Sequence, residues 1–589
     1  MSAFWLSKGY SLYSEVQVRL YPAALEFLGG IFRIFEPSLH LARVACIASG
    51  ALYLLTVGVT SRHLSAWVAG VASAGFVVLD QQLFEAAGLA LSEVPTLAAA
   101  ALSVMLALRY LETGRRAYLC GASLICGVSL LAKPLMPFLP LWLATVICAA
   151  NWKIKTQMPS LNKRFVADSA MAIAFLGLPL ALCLIIYIPS DFVETTLLTI
   201  VRLRDDYPWK PIANLNLVWD YLRGYWGVLL LALASAVLPA RSDQNRLYRM
   251  ALLWLLLAFN LLFLVLHSPL FDRHCTVLSL PLVLLAGVSI SSCTDVSHLS
   301  KTPYRWIGGA LVVLVTVVFV ATTAPRMVAW CNSRTRYEQG GPEAAAIRLL
   351  EQVTSPSELV VSDDLALVFL SQRRVPPRLS DMSHARNYSG HLTGLQVIAE
   401  VEKYDIQAAI LWTDRLDELW EFVWWAERHF VSVTDFGERR RILYGRRYDS
   451  VQNIAGFHPS SGLLLNESVR LIGYRLEPNE LRTSNKVRLV LYWQCIAPLD
   501  KDYTVFVHLA DAAGTPLSQG DGPPVRGLYP TSGWQAGEIL ADVHELPVDA
   551  KLPPGEYQLL VGLYTIEPSG IQSSPPVRLT TVDVGPIGQ

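Results

Sequence analysis

A set of ionisable side chains stands where apolar stretches of this chain end: Glu15, Asp80, Glu85, Glu93, Lys133, Arg202, Arg204, Asp205, Asp206, His267, Asp272, Arg273 and His274. Carboxylates can take a proton from a hydroxyl that is about to attack. Arginine and lysine can hold a phosphate, arginine as a bidentate fork and lysine as a point charge. Any one of these groups alone is an ordinary interfacial charge. Together, facing one compartment, they can bind an anionic headgroup and activate a hydroxyl beside it.

The elements that must position them are membrane spans. The chain has 589 residues, 53% of them hydrophobic and only 16% charged, with a mean hydropathy of +0.39. Its 48 basic and 48 acidic residues cancel, which excludes a bulk electrostatic nucleic-acid binder. Residues 1–324 hold 23 basic and 16 acidic side chains, net +7; residues 325–589 hold 25 and 32, net −7. Two solvents are implied, bilayer and then water. Apolar stretches near 40–60, 65–84, 94–111, 117–132, 134–150, 165–188, 224–240, 249–267, 275–292 and 306–324 predict about ten spans, 117–132 being the shortest. Tyr21–Phe35 carries Glu26 and Arg33 and reads as a helix lying in the interface.

Orientation follows from basic residues in short loops. One set of loops carries 13 of them, from Arg62 through Arg109, Arg115, Arg116, Lys163 and Arg164 to Lys301 and Arg305; the alternate set carries nine, in about twice the length. The dense set is expected in the cytoplasm, which puts the C-terminal part outside the cell. Residues 1–39 are then outside too, so a helix upstream of Met1 is expected. Cys46, Cys120, Cys126, Cys148 and Cys183 lie in apolar runs and no CxxC pair occurs, so no disulfide framework is read.

Residues 325–450 alternate helical and strand patterns. Pro342–Leu350 and Asp417–His429 read as helices, and Glu358–Ser362 and Gln407–Trp412 as buried strands, giving an α/β layer. Residues 451–589 hold β-branched and aromatic strands at Lys486–Trp493, Tyr503–Leu509 and Glu556–Tyr564, separated by turns such as Pro553-Pro554-Gly555, the pattern of an antiparallel β-sandwich. The fold class is therefore a polytopic α-helical membrane protein with a C-terminal α/β layer and a β-sandwich.

Gly9-Tyr10-Ser11-Leu12-Tyr13-Ser14-Glu15 leads to Pro22. Leu39-His40-Leu41-Ala42-Arg43 opens the next span. Leu91-Ser92-Glu93-Val94-Pro95 is followed by Thr113-Gly114-Arg115-Arg116 and then Gly127-Val128-Ser129-Leu130-Leu131-Ala132-Lys133. This order resembles the GT-C membrane glycosyltransferases of the protein O-mannosyltransferase and aminoarabinose-transferase type, most closely the bacterial family 39-like members, over roughly residues 1–324.

The resemblance implies transfer of a sugar from a polyprenyl-phosphate carrier to a glycan, lipid or protein acceptor at the outer membrane face. Loop helices would cover a cavity open to lipid and water. It implies no nucleotide cofactor, and the chain shows neither a P-loop nor a GxGxxG turn after a strand. Glu15, Glu93 and Asp80 are the candidate catalytic residues: the resemblance carries over Glu93, and Glu15 as an acceptor or metal contact rather than the base, while Asp80 is read from its place at a span end. Lys133, Arg202, Arg204, His267, Arg273 and His274 bind substrate, and no resident metal set is read. The family's catalytic acid lies in the first outer loop after the first helix, commonly as Asp-Glu, and this chain has neither that helix nor that pair. Phe506–Leu509, Gly527–Trp534 and Pro554–Tyr557 also resemble the β domain appended to some bacterial relatives, where an accessory role is implied.

Other features read more plainly. Asp500-Lys501-Asp502 has the DxD form but lies in a turn, and Val361-Ser362-Asp363-Asp364 ends a strand as a helix cap does. Trp493, Trp534, Tyr529 and Tyr564 are either a sugar-stacking platform or core, with core favoured. The histidines of the second half show no ligand spacing. Rival readings are a non-catalytic glycan-binding relative and a transporter. For a transporter, Asp168 is the notable residue, read here as an interfacial cap, and no Gly/Pro-interrupted pairs of spans are found.

Overall fold

In the computed structural model the chain forms two compact units, Met1–Arg336 and Tyr337–Gln589. The structure describes all residues except 19–20, 156–160, 189, 194–208, 238–243, 295–302, 334–339, 357, 453, 463, 478–485, 549–551, 554 and 585–589.

The first unit is all helical. In chain order its helices are α1 (Ser2–Ser7), α2 (Pro22–Ile34), α3 (Leu39–Leu64), α4 (Trp67–Val78), α5 (Gln81–Gly88), α6 (Glu93–Thr113), α7 (Arg116–Ala132), α8 (Leu139–Lys155) and α9 (Leu161–Tyr187). They continue with α10 (Pro211–Gly224), α11 (Trp226–Val237), α12 (Gln244–Leu266), a 3₁₀ turn (Asp272–Leu278), α13 (Ser279–Thr294) and α14 (Pro303–Ser333). Among the described residues, six helical stretches are long and apolar enough to cross a membrane, and up to eight if each of two bent pairs is one span. Arg116–Ala132 and Leu139–Trp152 are apolar but shorter; 17 residues rise only about 25 Å.

One of the expected straight spans is broken, and another is preceded by a bent helix outside the expected spans. Residues 65–84 divide at Asp80 into α4 and α5, bent by 61°, and the stretch from 224 follows α10 at 90°. The first break carries no glycine or proline: Asp80 caps α5 by accepting from the Leu83 amide at 3.2 Å, which lets the chain restart a helix in a new direction. The spans were therefore less continuous than their hydropathy suggested.

Small residues bring the helices together, since bilayer lipid offers apolar side chains no gain from contact alone. The buried face of α6 reads Ala98, Ala100, Ala101, Ser103, Val104 and Ala107. A Cβ at Gly287 would stand 2.1 Å from Ser73 Oγ, so only glycine lets α13 approach α4 there. Ser73 uses that closeness to donate to the Val283 carbonyl at 2.8 Å.

In the second unit α15 (Pro342–Val353), α16 (Leu365–Leu370), α17 (His384–Tyr388), α18 (Gly394–Lys403), α19 (Asp414–Asp417) and α20 (Trp420–His429) accompany a four-stranded sheet. Its strands are β1 (Val361–Ser362), β2 (Ala408–Leu411), β3 (Phe430–Asp435) and β4 (Arg441–Arg446), in the order β1-β2-β4-β3. Only β1 and β2 run parallel, Val361 opposite Ala409.

Two five-stranded antiparallel sheets follow. One contains β5 (His458–Pro459), β6 (Leu464–Asn466), β7 (Val469–Glu477), β8 (Lys486–Cys495) and β11 (Ile539–Pro547). The other contains β9 (Thr504–Ala510), β10 (Pro516–Gln519), β12 (Gly555–Glu567), β13 (Gly570–Ser573) and β14 (Val577–Val584). Leu489, Leu491 and Trp493 of the first and Val507, Leu559 and Val561 of the second share one core, so the sheets form a sandwich.

Candidate active site

Helices α6 and α7 are joined by two residues, so they run antiparallel and the first residue of one lies beside the end of the other. That places Glu93, which opens α6, against Lys133, which caps the end of α7. Lys133 Nζ donates to Glu93 Oε1 at 2.5 Å. From the 3₁₀ turn, Arg273 brings its Nε to 3.0 Å from the same oxygen. Glu93 is buried at 1% exposure and sits in the first turn of its helix, where the dipole favours a negative charge. One carboxylate facing two cations leaves the cluster with a net positive charge.

The turn that supplies Arg273 also supplies His274, which is buried. The Nδ1 of His274 accepts from the Phe271 amide at 3.4 Å, and its ring meets His267 edge-on at 5.3 Å. His267 ends α12, with its ring 4.7 Å from Phe263 and its carbonyl taking a hydrogen bond from Asn214 Nδ2 at 2.7 Å. The guanidinium of Arg273 lies 4.7 Å above the Phe271 ring. Lys133, His267, Arg273 and His274 are thus joined through Glu93 or through ring contacts at this end of the helices.

The other expected residues are placed differently. Asp80 is buried and belongs to a separate set: one oxygen caps α5 and the other accepts from Tyr221 OH at 2.8 Å. Its carboxylate ties the α4–α5 break to α10. Glu15 is exposed and accepts from the Ser11 amide at 2.8 Å, closing its own turn. Arg202 and Arg204 lie outside the described residues.

Asp168 is no interfacial cap. Helix α9 begins at Leu161, so Asp168 falls in its second turn, fully buried. It accepts from Tyr110 OH at 2.6 Å and Arg116 Nε at 2.7 Å, with Arg164 at 3.6 Å. Its hydropathic surroundings gave no sign of Tyr110 and Arg116, which come from α6 and α7; Arg164 lies one turn earlier on α9 itself.

The plainer readings in the second unit stand. Asp364 caps α16, accepting from the Ala366 and Leu367 amides. Asp363 accepts from the amides of Trp412, Thr413 and Leu416 and so fastens the end of β2. Asp502 accepts from the Ser532 amide at 3.1 Å, and Lys501 pairs with Glu567. Trp493 and Trp534 are buried in the sandwich core.

No protein-family model and no curated protein sequence matches the chain. Solved structures do. The crystal structure of ArnT from Cupriavidus metallidurans bound to undecaprenyl phosphate is similar with a TM-score of 0.50 at 14% identity, covering 77% of this chain and 93% of that one. The apo form of the same protein gives 0.50 at 12%, covering 75% and 91%. The oligosaccharyltransferase of Archaeoglobus fulgidus gives 0.39 at 11%, covering 98% and 91%. The likeness to ArnT is one of fold alone.

Proposed function

We propose that this chain of GT-C fold moves a sugar from a polyprenyl-phosphate carrier to an acceptor at the outer face of the membrane. The observation that carries the reading is the buried Glu93 held between Lys133 and Arg273 where the helices end. ArnT, whose fold this chain shares, was crystallised with undecaprenyl phosphate, a ligand of the class such cations suit.

In a single displacement the acceptor oxygen bonds to the anomeric carbon as the bond to the carrier phosphate breaks. Negative charge collects on the departing phosphate, and Lys133 and Arg273 are placed to neutralise it. Glu93 is already paired with both; in this reading it positions the cations and another group takes the acceptor proton. His267 and His274 wall the same end of the site. The loop charges put this end, and the second unit, outside the cytoplasm. Acceptor classes remain glycan, lipid or protein.

The test incubates purified full-length protein with undecaprenyl-phosphate sugars and measures acceptor-dependent release of the lipid phosphate. Lys133→Ala and Arg273→Ala are each expected to reduce turnover. Undiminished turnover in both would overturn the assignment of the site. Saturable carrier binding without any release, across donors and acceptors, would favour the non-catalytic glycan-binding relative.

A further inference from the structure

A second cluster lies far along the sequence, in the second unit. His384 opens α17, Asp414 opens α19, and Glu418 caps the end of α19. Ligand atoms of the three lie within 4.8 Å of one another.

Glu418 takes three donors: His384 Nδ1 at 2.7 Å, Tyr388 OH at 2.8 Å and Asn387 Nδ2 at 2.9 Å. A carboxylate so placed only accepts, so the proton on the imidazole sits at Nδ1. In the neutral ring the other nitrogen, Nε2, presents a lone pair. It faces Asp414 Oδ1 at 3.6 Å, too far for a hydrogen bond. Two electron-pair donors oppose each other across that gap.

Metal–nitrogen and metal–oxygen bonds of about 2.0–2.2 Å spanning 3.6 Å subtend roughly 115–120°, close to the tetrahedral preference of zinc. The Nδ1–H to carboxylate contact is the arrangement that fixes tautomer and ring direction in metal-binding histidines. Asp414 is largely exposed, so water can complete the coordination.

We propose that His384 Nε2 and Asp414 Oδ1 bind a first-row divalent transition metal ion, with Glu418 as the positioning residue. Zinc is the ion this donor pair suits. The ion joins α17 to α19 across the β2 strand that separates them in sequence, and it is independent of the transferase reading.

The experiment uses the full chain in detergent, stripped with a chelator and titrated with Zn²⁺ alone by equilibrium dialysis. Wild type is expected to bind one equivalent more than Asp414→Asn or His384→Ala. Glu418→Gln should weaken that equivalent about 10- to 100-fold. Asp414 is a surface residue, so its variant tests the site without disturbing the fold. With Cu²⁺ as probe, electron paramagnetic resonance should show coupling to a ring nitrogen that disappears in His384→Ala. Zinc uptake by Asp414→Asn equal to wild type in number and affinity would overturn the proposal, as would a copper spectrum unchanged in His384→Ala. In that case the pair is an imidazolium–carboxylate contact.

Discussion

Arg116 and Lys133 stand at opposite ends of one helix, α7, and each pairs with a buried carboxylate that has a second cation beside it. At one end Asp168 meets Arg116 and Arg164; at the other Glu93 meets Lys133 and Arg273. The charge count is the same, but the mounting differs. Arg164 lies one turn from Asp168 on the same helix, and Tyr110 adds a hydroxyl donor. That carboxylate is held by regular helices and by a third donor. Around Glu93 the cations come from a helix-terminating residue and a 3₁₀ turn, elements that can adjust when another anion arrives. The lesson is that a charge cluster becomes a clamp or a site according to the backbone that carries it.

That contrast can be broken from either end. Asp168→Ala leaves Arg116 and Arg164 without their shared carboxylate; both guanidiniums are more than a third exposed and can rehydrate, so the cost falls below the about 3–5 kcal/mol of a fully buried pair. The expected result is a marked loss in thermal unfolding temperature in detergent, with transfer activity per folded molecule retained. A variant that stayed stable but lost turnover would reverse the roles of the two clusters. Lys133→Ala and Arg273→Ala should do the opposite, lowering turnover by about 10²–10³-fold at little cost in unfolding temperature, if each stabilises the departing phosphate.

A third buried pair sharpens the comparison because it titrates. His544 donates from Nε2 to Asp542 at 2.6 Å and from Nδ1 to the Gly520 carbonyl at 3.0 Å, so both nitrogens carry protons. Burial lowers its affinity for the second proton, but the Asp542 charge and these hydrogen bonds outweigh that and raise its pKa. The sign follows from a folded pKa above the unfolded value of about 6.5. Stabilisation is complete below about pH 6.5 and fades as pH rises through the raised folded value. Hydrogen exchange at the Val525 amide, which donates to Asp542, should therefore accelerate on the alkaline side, and His544→Gln should flatten that dependence. The smallest effect belongs to Tyr110→Phe. It removes one neutral donor from Asp168 while both arginines stay, so a loss of about 1 kcal/mol is expected in the same unfolding measurement.

How much of this was legible before folding depends on distance along the chain. The Glu93–Lys133 contact follows from arithmetic, because two antiparallel helices of 21 and 17 residues with a two-residue link bring their outer ends within about 6 Å along the axis, a gap a lysine side chain spans. The sandwich strands announced themselves by alternation and turns. Arg273 could be named as a cation at a span end, but nothing local aims it at a carboxylate 180 positions earlier. Asp80 and Glu15 show a related limit: their partners, a helix-capping amide and the Tyr221 hydroxyl for one and the Ser11 amide for the other, come from the folded backbone and not from any local pattern. His384 and Asp414 have no recognisable ligand spacing, since 29 residues, with α18 and β2 among them, intervene.

Composition and hydropathy by themselves determined that the first part of this chain is a bundle for lipid and the second a pair of β-rich layers for water, because the solvent around each segment is written in its apolar content. Helix ends were also determined, and with them the row of charges at one face. Which charges meet was decided by tertiary packing alone. Coulomb attraction and hydrogen bonding act over a few ångströms, and only the approach of α6, α7 and the 272–278 turn brings Glu93, Lys133 and Arg273 within that range.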